Sequence, residues 1–276
     1  MRALAASLLL GASVALTGTA AAQIEPPPKL EDVSTDRGVQ PPVPAGWESD
    51  VYCAGWVGSL RERFSGSIIS AELVDSQRSF VQGDIVYLNL GTVNDVKAGD
   101  EFWVVRPTED RYILYKPGSE TDPVGRVYQT PGRVRVICAQ EKTSIAEITA
   151  SCSDVAVGDS VDPFEPIPIP LVRRTPLLTS CDTPNGKPVG HIVGVRDNES
   201  FIATDTVVYL DLGEREGLLP GDFLSVYRYR RQEEGLTSLR TVLGEVVILT
   251  TREKTAVAKV ANMRDTMQPG DQVEVK

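Results

Sequence analysis

The chain has 276 residues, with 28 Lys and Arg against 38 Asp and Glu, which gives a net charge of −10. This charge disfavours nucleic acid and anionic lipid headgroups as partners, because an acidic surface repels both. The length fits one large domain or two small ones, and 41% of the residues are hydrophobic, which is enough for a core.

The N-terminus has the pattern of a secretory signal peptide, which we place at residues 1–22. Met1-Arg2 is basic, an apolar run extends from Leu4 to Leu16, and Ala20-Ala21-Ala22 forms a cleavage site of small residues. The apolar run is shorter than the about 20 residues that a membrane-spanning helix needs. We therefore expect a periplasmic or secreted protein, cleaved near Ala22, with no membrane span in the mature chain.

Two proline-rich stretches divide the rest of the chain. Residues 23–46 combine prolines with charged residues and lack apolar periodicity, which predicts a disordered leader. In residues 164–178, prolines alternate with isoleucines, and alternating proline is incompatible with a helix or a central strand. This second stretch predicts a semi-rigid linker between one domain at 47–163 and another at 179–276.

The two predicted domains repeat each other. The matching segments are 84–91 with 206–213, 98–106 with 220–228, and 132–143 with 244–255. The offset falls from 122 (206 − 84) to 112 (244 − 132), so the first copy has about ten extra residues between Pro107 and Pro131. Two registers that recur in the same order indicate a duplicated domain.

Hydrophobic residues within each copy recur with a period of two. Val86, Leu88 and Leu90 alternate with Tyr87 and Asn89, which is typical of a half-buried strand. Gly-Asp pairs bound such runs, as expected for strands joined by tight turns. We therefore predict an all-β fold, with two tandem copies of a small antiparallel β-barrel or sandwich of about five to seven strands each.

The Gly-Asp pairs are open to two interpretations. Their carboxylates could act as acid and base or bind calcium. Glycine also permits positive φ, and aspartate accepts local backbone hydrogen bonds, so we expect turns. The predicted turn residues are Gly91, Gly99, Asp100, Gly158, Asp159, Gly213, Gly221, Asp222, Gly270 and Asp271.

No catalytic, cofactor or metal site is predicted. The single histidine, His191, has no counterpart in the first copy, and no C-x-x-C pair or phosphate-binding loop is present. A hydrolase that uses carboxylates is the least favoured of the alternatives.

Aromatic residues in the first copy could bind a ligand. Trp103 lies on a predicted strand, while Tyr112 and Tyr115 belong to the insertion that the second copy lacks. We expect the insertion to fold over Trp103 and bury it. The alternative is an exposed platform of Trp103, Tyr112 and Tyr115 for cell-wall glycan.

The four cysteines predict two disulfides in an oxidising compartment. A hairpin loop centred on Glu141-Lys142 places Cys138 opposite Ile145 and Cys152 opposite Pro131, too far apart for a Cys138–Cys152 bridge. We prefer Cys53–Cys152 with Cys138–Cys181, which would fix the angle between the copies. Cys53–Cys138 with Cys152–Cys181 remains open.

A recurring order of motifs resembles the C-terminal domain of the bacterial flagellar assembly protein T. The residues that carry this resemblance are Leu212-Gly213, Gly221-Asp222, Val226 to Arg228, Gly244 to Val247 and Gly270 to Val273. The match covers the second copy best, and the two N-terminal domains of that family have no counterpart here. The motifs are also similar to C-terminal parts of periplasmic proteins that carry a lysin motif.

The resemblance implies a role in envelope or flagellar-type assembly. We therefore expect a non-enzymatic periplasmic interaction or scaffold protein that binds envelope proteins. The alternative is a module that binds peptidoglycan or another cell-wall glycan.

Overall fold

The computed structural model describes residues 41–173, 179, 184–199, 201–230 and 239–276. The predicted signal peptide, most of the predicted leader and Cys181 lie outside the described residues. No helix in the described part of the chain is long and apolar enough to cross a membrane.

The first copy forms a barrel with short additions at its edge. Its elements are β1 (Val43–Pro44), α1 (Glu48–Tyr52), β2 (Trp56–Gly58), β3 (Gly66–Ala71), β4 (Ile85–Leu88), β5 (Glu101–Pro107), β6 (Leu114–Tyr115), β7 (Pro123–Ala139), β8 (Ser144–Ser151) and β9 (Ser160–Pro163). Six antiparallel strands follow the order β7-β5-β9-β3-β4-β8, and pairing of β7 with β8 closes the ring. β2 and β6 pair with the N-terminal half of β7, outside this ring.

The second copy forms a closed barrel in the same order. After β10 (Leu171–Val172), its strands are β11 (Val189–Val195), β12 (Val207–Leu210), β13 (Phe223–Arg230), β14 (Leu239–Thr251), β15 (Ala256–Met263) and β16 (Gln272–Val275). The strand order is β11-β12-β15-β14-β13-β16. The prediction of an all-β chain with two tandem antiparallel barrels is therefore confirmed.

Alternating side chains fill each barrel as the period of two predicts. Val86 and Leu88 of β4 are fully buried in the first core, and Val208 and Leu210 of β12 occupy the same places in the second. Successive residues of a strand point to opposite faces, so the intervening positions lie outside the barrel. These outer positions are where the two copies differ.

The Gly-Asp pairs form tight turns in both barrels. Gly99 and Gly221 have φ of +96°, a left-handed conformation that glycine adopts without a steric penalty. The carboxylate of Asp100 accepts a hydrogen bond from the backbone N–H of Lys97 at 2.8 Å, and Asp159 and the other three aspartates make the same contact three residues back. Gly158 and Gly270 also have positive φ.

Gly91 and Gly213 were also predicted as turn residues, but neither has a positive φ. Their φ angles of −143° and −148° are extended backbone. Glycine is required there by close approach, because a Cβ at either position would collide with the hairpin loop that follows β7 or β14. These two residues therefore let the hairpin loop pack against the end of the neighbouring strand.

The described end of the predicted leader is structured. Val43–Pro44 pairs with Leu171–Val172 of the predicted linker, and the N–H of Ala45 donates to the carbonyl of Pro170 at 2.8 Å. Ile167 and Ile169 pack against a hydrophobic cluster between the barrels. The prediction of a disordered leader is thus wrong for residues 43–45, because a partner strand satisfies their backbone groups.

Candidate functional site

The two barrels share a third hydrophobic core. It lies between α1, β2 and the start of β7 on one side and the outer face of the second barrel on the other. Its buried members are Val51, Ala54, Val57, Val127, Val193, Val207, Tyr209, Leu249 and Val257. Burial of so many apolar side chains makes residues 41–276 one compact unit.

Three polar contacts cross this interbarrel core. The Tyr209 hydroxyl donates to the carbonyl of Ala54 at 2.7 Å, and the Thr255 hydroxyl donates to the carbonyl of Val57 at 2.8 Å. Lys259 Nζ donates to the Asp50 carboxylate at 2.8 Å. All three donors are buried, so each contact fixes the position of α1 and β2 on the second barrel.

Lys259 is held charged in this contact. Burial alone would lower the pKa of its ammonium group, but hydrogen bonds to Asp50 and Asp205 outweigh that effect and raise the pKa. The second partner, Asp205, lies 2.9 Å away and is largely exposed. Lys259 therefore joins a buried carboxylate of α1 to the surface of the second barrel.

A disulfide fastens α1 to the first barrel. Cys53 caps the C-terminus of α1 and is bonded to Cys152, with a Cα–Cα distance of 5.5 Å. This is the preferred first bridge. Cys138 carries an exposed free thiol, and the second expected bridge, Cys138–Cys181, involves Cys181, which lies outside the described residues. The register explains why Cys138 cannot reach Cys152, since it pairs with Ile145 at the far end of the hairpin.

Trp103 lies in an aromatic pocket of about 350 Å³. Its ring centroid is 4.7 Å from that of Phe164 and 5.4 Å from that of Tyr52. The Arg133 guanidinium lies over the Phe164 ring at 4.6 Å, and the Cys53–Cys152 disulfide lines one wall. Trp103 is only partly buried, which leaves room for a small ligand beside the aromatic rings.

Tyr112 and Tyr115 lie elsewhere. Trp103 pairs with Arg133 of β7, whereas Leu114 of the insertion pairs with Gly125, eight residues away (133 − 125) or roughly 26 Å along the strand. The expectation that the insertion covers Trp103 is therefore wrong, and so is the three-residue platform. The insertion extends the β5–β7 hairpin beyond the barrel, where Leu114 reaches the second barrel instead.

Each barrel also contains a partly buried ion pair that the sequence reasoning missed. Arg106 Nε donates to Asp159 at 2.7 Å, and Arg228 Nε donates to Asp271 at 2.5 Å. Hydrogen bonds to the aspartates raise the pKa of both arginines. In both copies an arginine ends one strand and a Gly-Asp pair precedes another. This repetition could have revealed the ion pair.

The two buried carboxylates, those of Asp159 and Asp271, therefore have a structural role. Each aspartate accepts two hydrogen bonds from its arginine and one from the turn backbone. His191 is likewise bound to its neighbour Asp211, with Nδ1 3.1 Å from the carboxylate. Across the described ranges, no group of three or more His, Cys, Asp or Glu is placed to hold a metal ion.

Comparison with known proteins adds no relative. No protein-family model matches the chain, and no curated protein matches it. The candidate functional features therefore come from the structure alone. They are the interbarrel core that joins the two barrels, the aromatic pocket at Trp103, and the outer barrel faces.

Proposed function

We propose that this protein is a non-enzymatic scaffold of the bacterial cell envelope. It holds two β-barrels in one fixed relation and binds protein partners through their outer faces. The proposal is supported above all by the interbarrel core, because a scaffold needs a fixed relation between its barrels and a flexible tandem binder does not. The signal-like N-terminus and the resemblance to flagellar assembly protein T favour the envelope as its location.

A fixed relation between the barrels has a physical advantage for a scaffold. A partner that touches both barrels does not have to order them first, so less conformational entropy is lost on binding. The Cys53–Cys152 bridge supports this arrangement because it anchors α1 to the first barrel, while the Lys259–Asp50 pair anchors α1 to the second.

The test is photocrosslinking in living cells. A photoreactive amino acid replaces Val81 of the first barrel or Phe201 beside the second, both exposed. We expect a discrete protein product from each position, lost when Leu249→Asp disrupts the interbarrel core and kept in the exposed control Leu219→Asp. A product that survives Leu249→Asp, or the absence of any discrete product, would contradict the scaffold.

A second candidate function rests on the aromatic pocket. Tyr52, Trp103 and Phe164 offer apolar ring faces, and Arg133 adds hydrogen-bond donors, which together suit a cell-wall glycan fragment. Co-sedimentation with purified peptidoglycan tests it. Trp103→Ala should reduce the bound fraction, whereas Tyr112→Ala, which removes an aromatic outside the pocket, should not. Equal binding by both variants would reject the pocket as a glycan site.

A further inference from the structure

The duplication allows every outer position of one barrel to be compared with its counterpart. On the second barrel, β11, β12, β14 and β15 form the face that α1 and β2 cover. Matched strand pairings, including the bulges, identify the same face on the first barrel. The equivalent residues are Ile69 for Val193, Ile85 for Val207, Tyr87 for Tyr209, Ile137 for Leu249 and Ile145 for Val257.

This set of five, which we call the open face, is as apolar as its covered counterpart. Ile137 is 51% exposed where Leu249 is fully buried, and Ile69 is 46% exposed where Val193 is 7% exposed. No described element packs over the open face as α1 and β2 pack over the other. A contiguous apolar face of this kind marks an interaction site more often than scattered exposed residues do.

The polar groups around the open face match those of the covered face only in part, because Arg135 takes the place of Val247 as well as Glu147 that of Lys259. Tyr87 occupies the place of Tyr209, yet its hydroxyl has no hydrogen-bond partner among the described residues. Glu147 occupies the place of Lys259, because Ile85 pairs with Glu147 as Val207 pairs with Lys259. Glu147 is exposed, and Arg135 lies directly opposite it on β7. The Arg135 guanidinium is bound to Glu101, however, so Glu147 has no ion-pair partner in the part of the chain that the structure describes.

We propose that the open face docks a segment of another protein that is apolar on one side and carries a lysine or arginine opposite Glu147. This deepens the proposed scaffold function and rests on it. Charge complementarity defines the occupant. The covered face presents Lys259 and receives Asp50, whereas the open face presents Glu147, whose neighbour Arg135 is already bound to Glu101, so a cation is the complementary group.

A second copy of this chain does not meet that requirement. Its α1 would bring Asp50 against Glu147, and the apolar side of its α1 is already buried in its own interbarrel core. Like charges in such a contact disfavour binding. The occupant is therefore a different protein.

The probes are two synthetic peptides with the sequence of residues 46–58, both with Cys53→Ser and one also with Asp50→Lys. Fluorescence anisotropy measures their affinity for the full mature protein. We expect the lysine peptide to bind at least about tenfold more tightly than the aspartate peptide. Glu147→Lys in the protein should reverse that order, which a purely structural role of Glu147 would not do.

Variants of the open face test where the peptide binds. Ile137→Glu should weaken the lysine peptide at least about tenfold, and Tyr87→Phe should weaken it about threefold through loss of one hydrogen bond. Val157→Glu, at an exposed turn of the same barrel, is the matched control and should leave binding unchanged. Tyr87→Phe removes one hydroxyl from a partly exposed side chain and should leave folding intact.

Three outcomes would overturn the proposal: no binding of either peptide at about 1 mM, no reversal with Glu147→Lys, or a dimer in sedimentation that Ile137→Glu disperses. The last result would assign the face to a second copy. If the peptide experiment fails but crosslinks form at Val81 and Phe201, only the open face is rejected. If no crosslinks form at these positions in the protein without Leu249→Asp, the scaffold itself is rejected.

Discussion

The two barrels agree inside and differ outside. Both have the same strand order, the same Gly-Asp turns and the same partly buried arginine–aspartate pair. Outside, Trp103, Arg133 and Phe164 of the first barrel correspond to Ser225, Glu245 and Lys276 of the second. The aromatic group packs beneath α1, whereas Glu245 and Lys276 form an ion pair.

This comparison shows which residues the barrel itself requires. Closure of a small barrel demands apolar interior side chains and tight turns, so these recur in both copies. Outer positions are free to make other contacts, and each copy uses them differently. The first barrel binds α1 through a disulfide and aromatic rings, while the second covers α1 with an apolar face and three buried polar contacts.

The largest expected effect separates the covered face from the open one. Leu249→Ala leaves a cavity in the interbarrel core and should lower the free energy of unfolding by about 2–5 kcal/mol. Ile137→Ala, at the equivalent exposed position, should lower it by less than about 1 kcal/mol. Urea denaturation of both variants provides the measurement. Equal losses would show that the two faces are not differently covered.

The duplicated ion pairs provide a test in which the barrels should behave alike. Asp159→Asn and Asp271→Asn each leave a partly buried arginine without its charged partner. We expect a loss of about 1–3 kcal/mol in unfolding free energy for each variant. A loss confined to one variant, measured by the same urea titration, would contradict an equivalent role in the two barrels.

The smallest expected effect concerns the free thiol. Cys138 is exposed, so Cys138→Ser should change the unfolding free energy by less than about 0.5 kcal/mol. In the native oxidised protein, Cys138 should react with iodoacetamide while Cys53 and Cys152 do not. Peptide mapping under non-reducing conditions reads out both results. A Cys138–Cys181 peptide would instead restore the second bridge expected from the sequence.

The sequence predicted most of what local chemistry controls. Alternation and tight turns determine hairpin register, so Cys138 lies opposite Ile145 and the N–H of Cys152 meets the carbonyl of Pro131, both as expected. The same register excluded a Cys138–Cys152 bridge. Geometry that follows from a period of two and a short loop is available without tertiary information.

Long-range packing was harder to predict from the sequence. The helix α1 has only five residues, too few for a periodic apolar stripe to reveal which surface it covers. The insertion around Leu114 was expected over Trp103, but the length of β7 carries it to the second barrel instead. Apolar residues outside a barrel do not indicate by themselves which face has a partner, so the open face was also not foreseen.

The most direct test of the account is the distance between the barrels in solution. One spin label on Cys138 and another on Leu219→Cys, with Cys181→Ser to prevent a third label, report on the first and second barrels. Double electron–electron resonance should give one narrow distance distribution, which broadens when Leu249→Asp disrupts the interbarrel core. A broad distribution in the protein without Leu249→Asp would contradict the claim that the core holds the two barrels in one fixed relation.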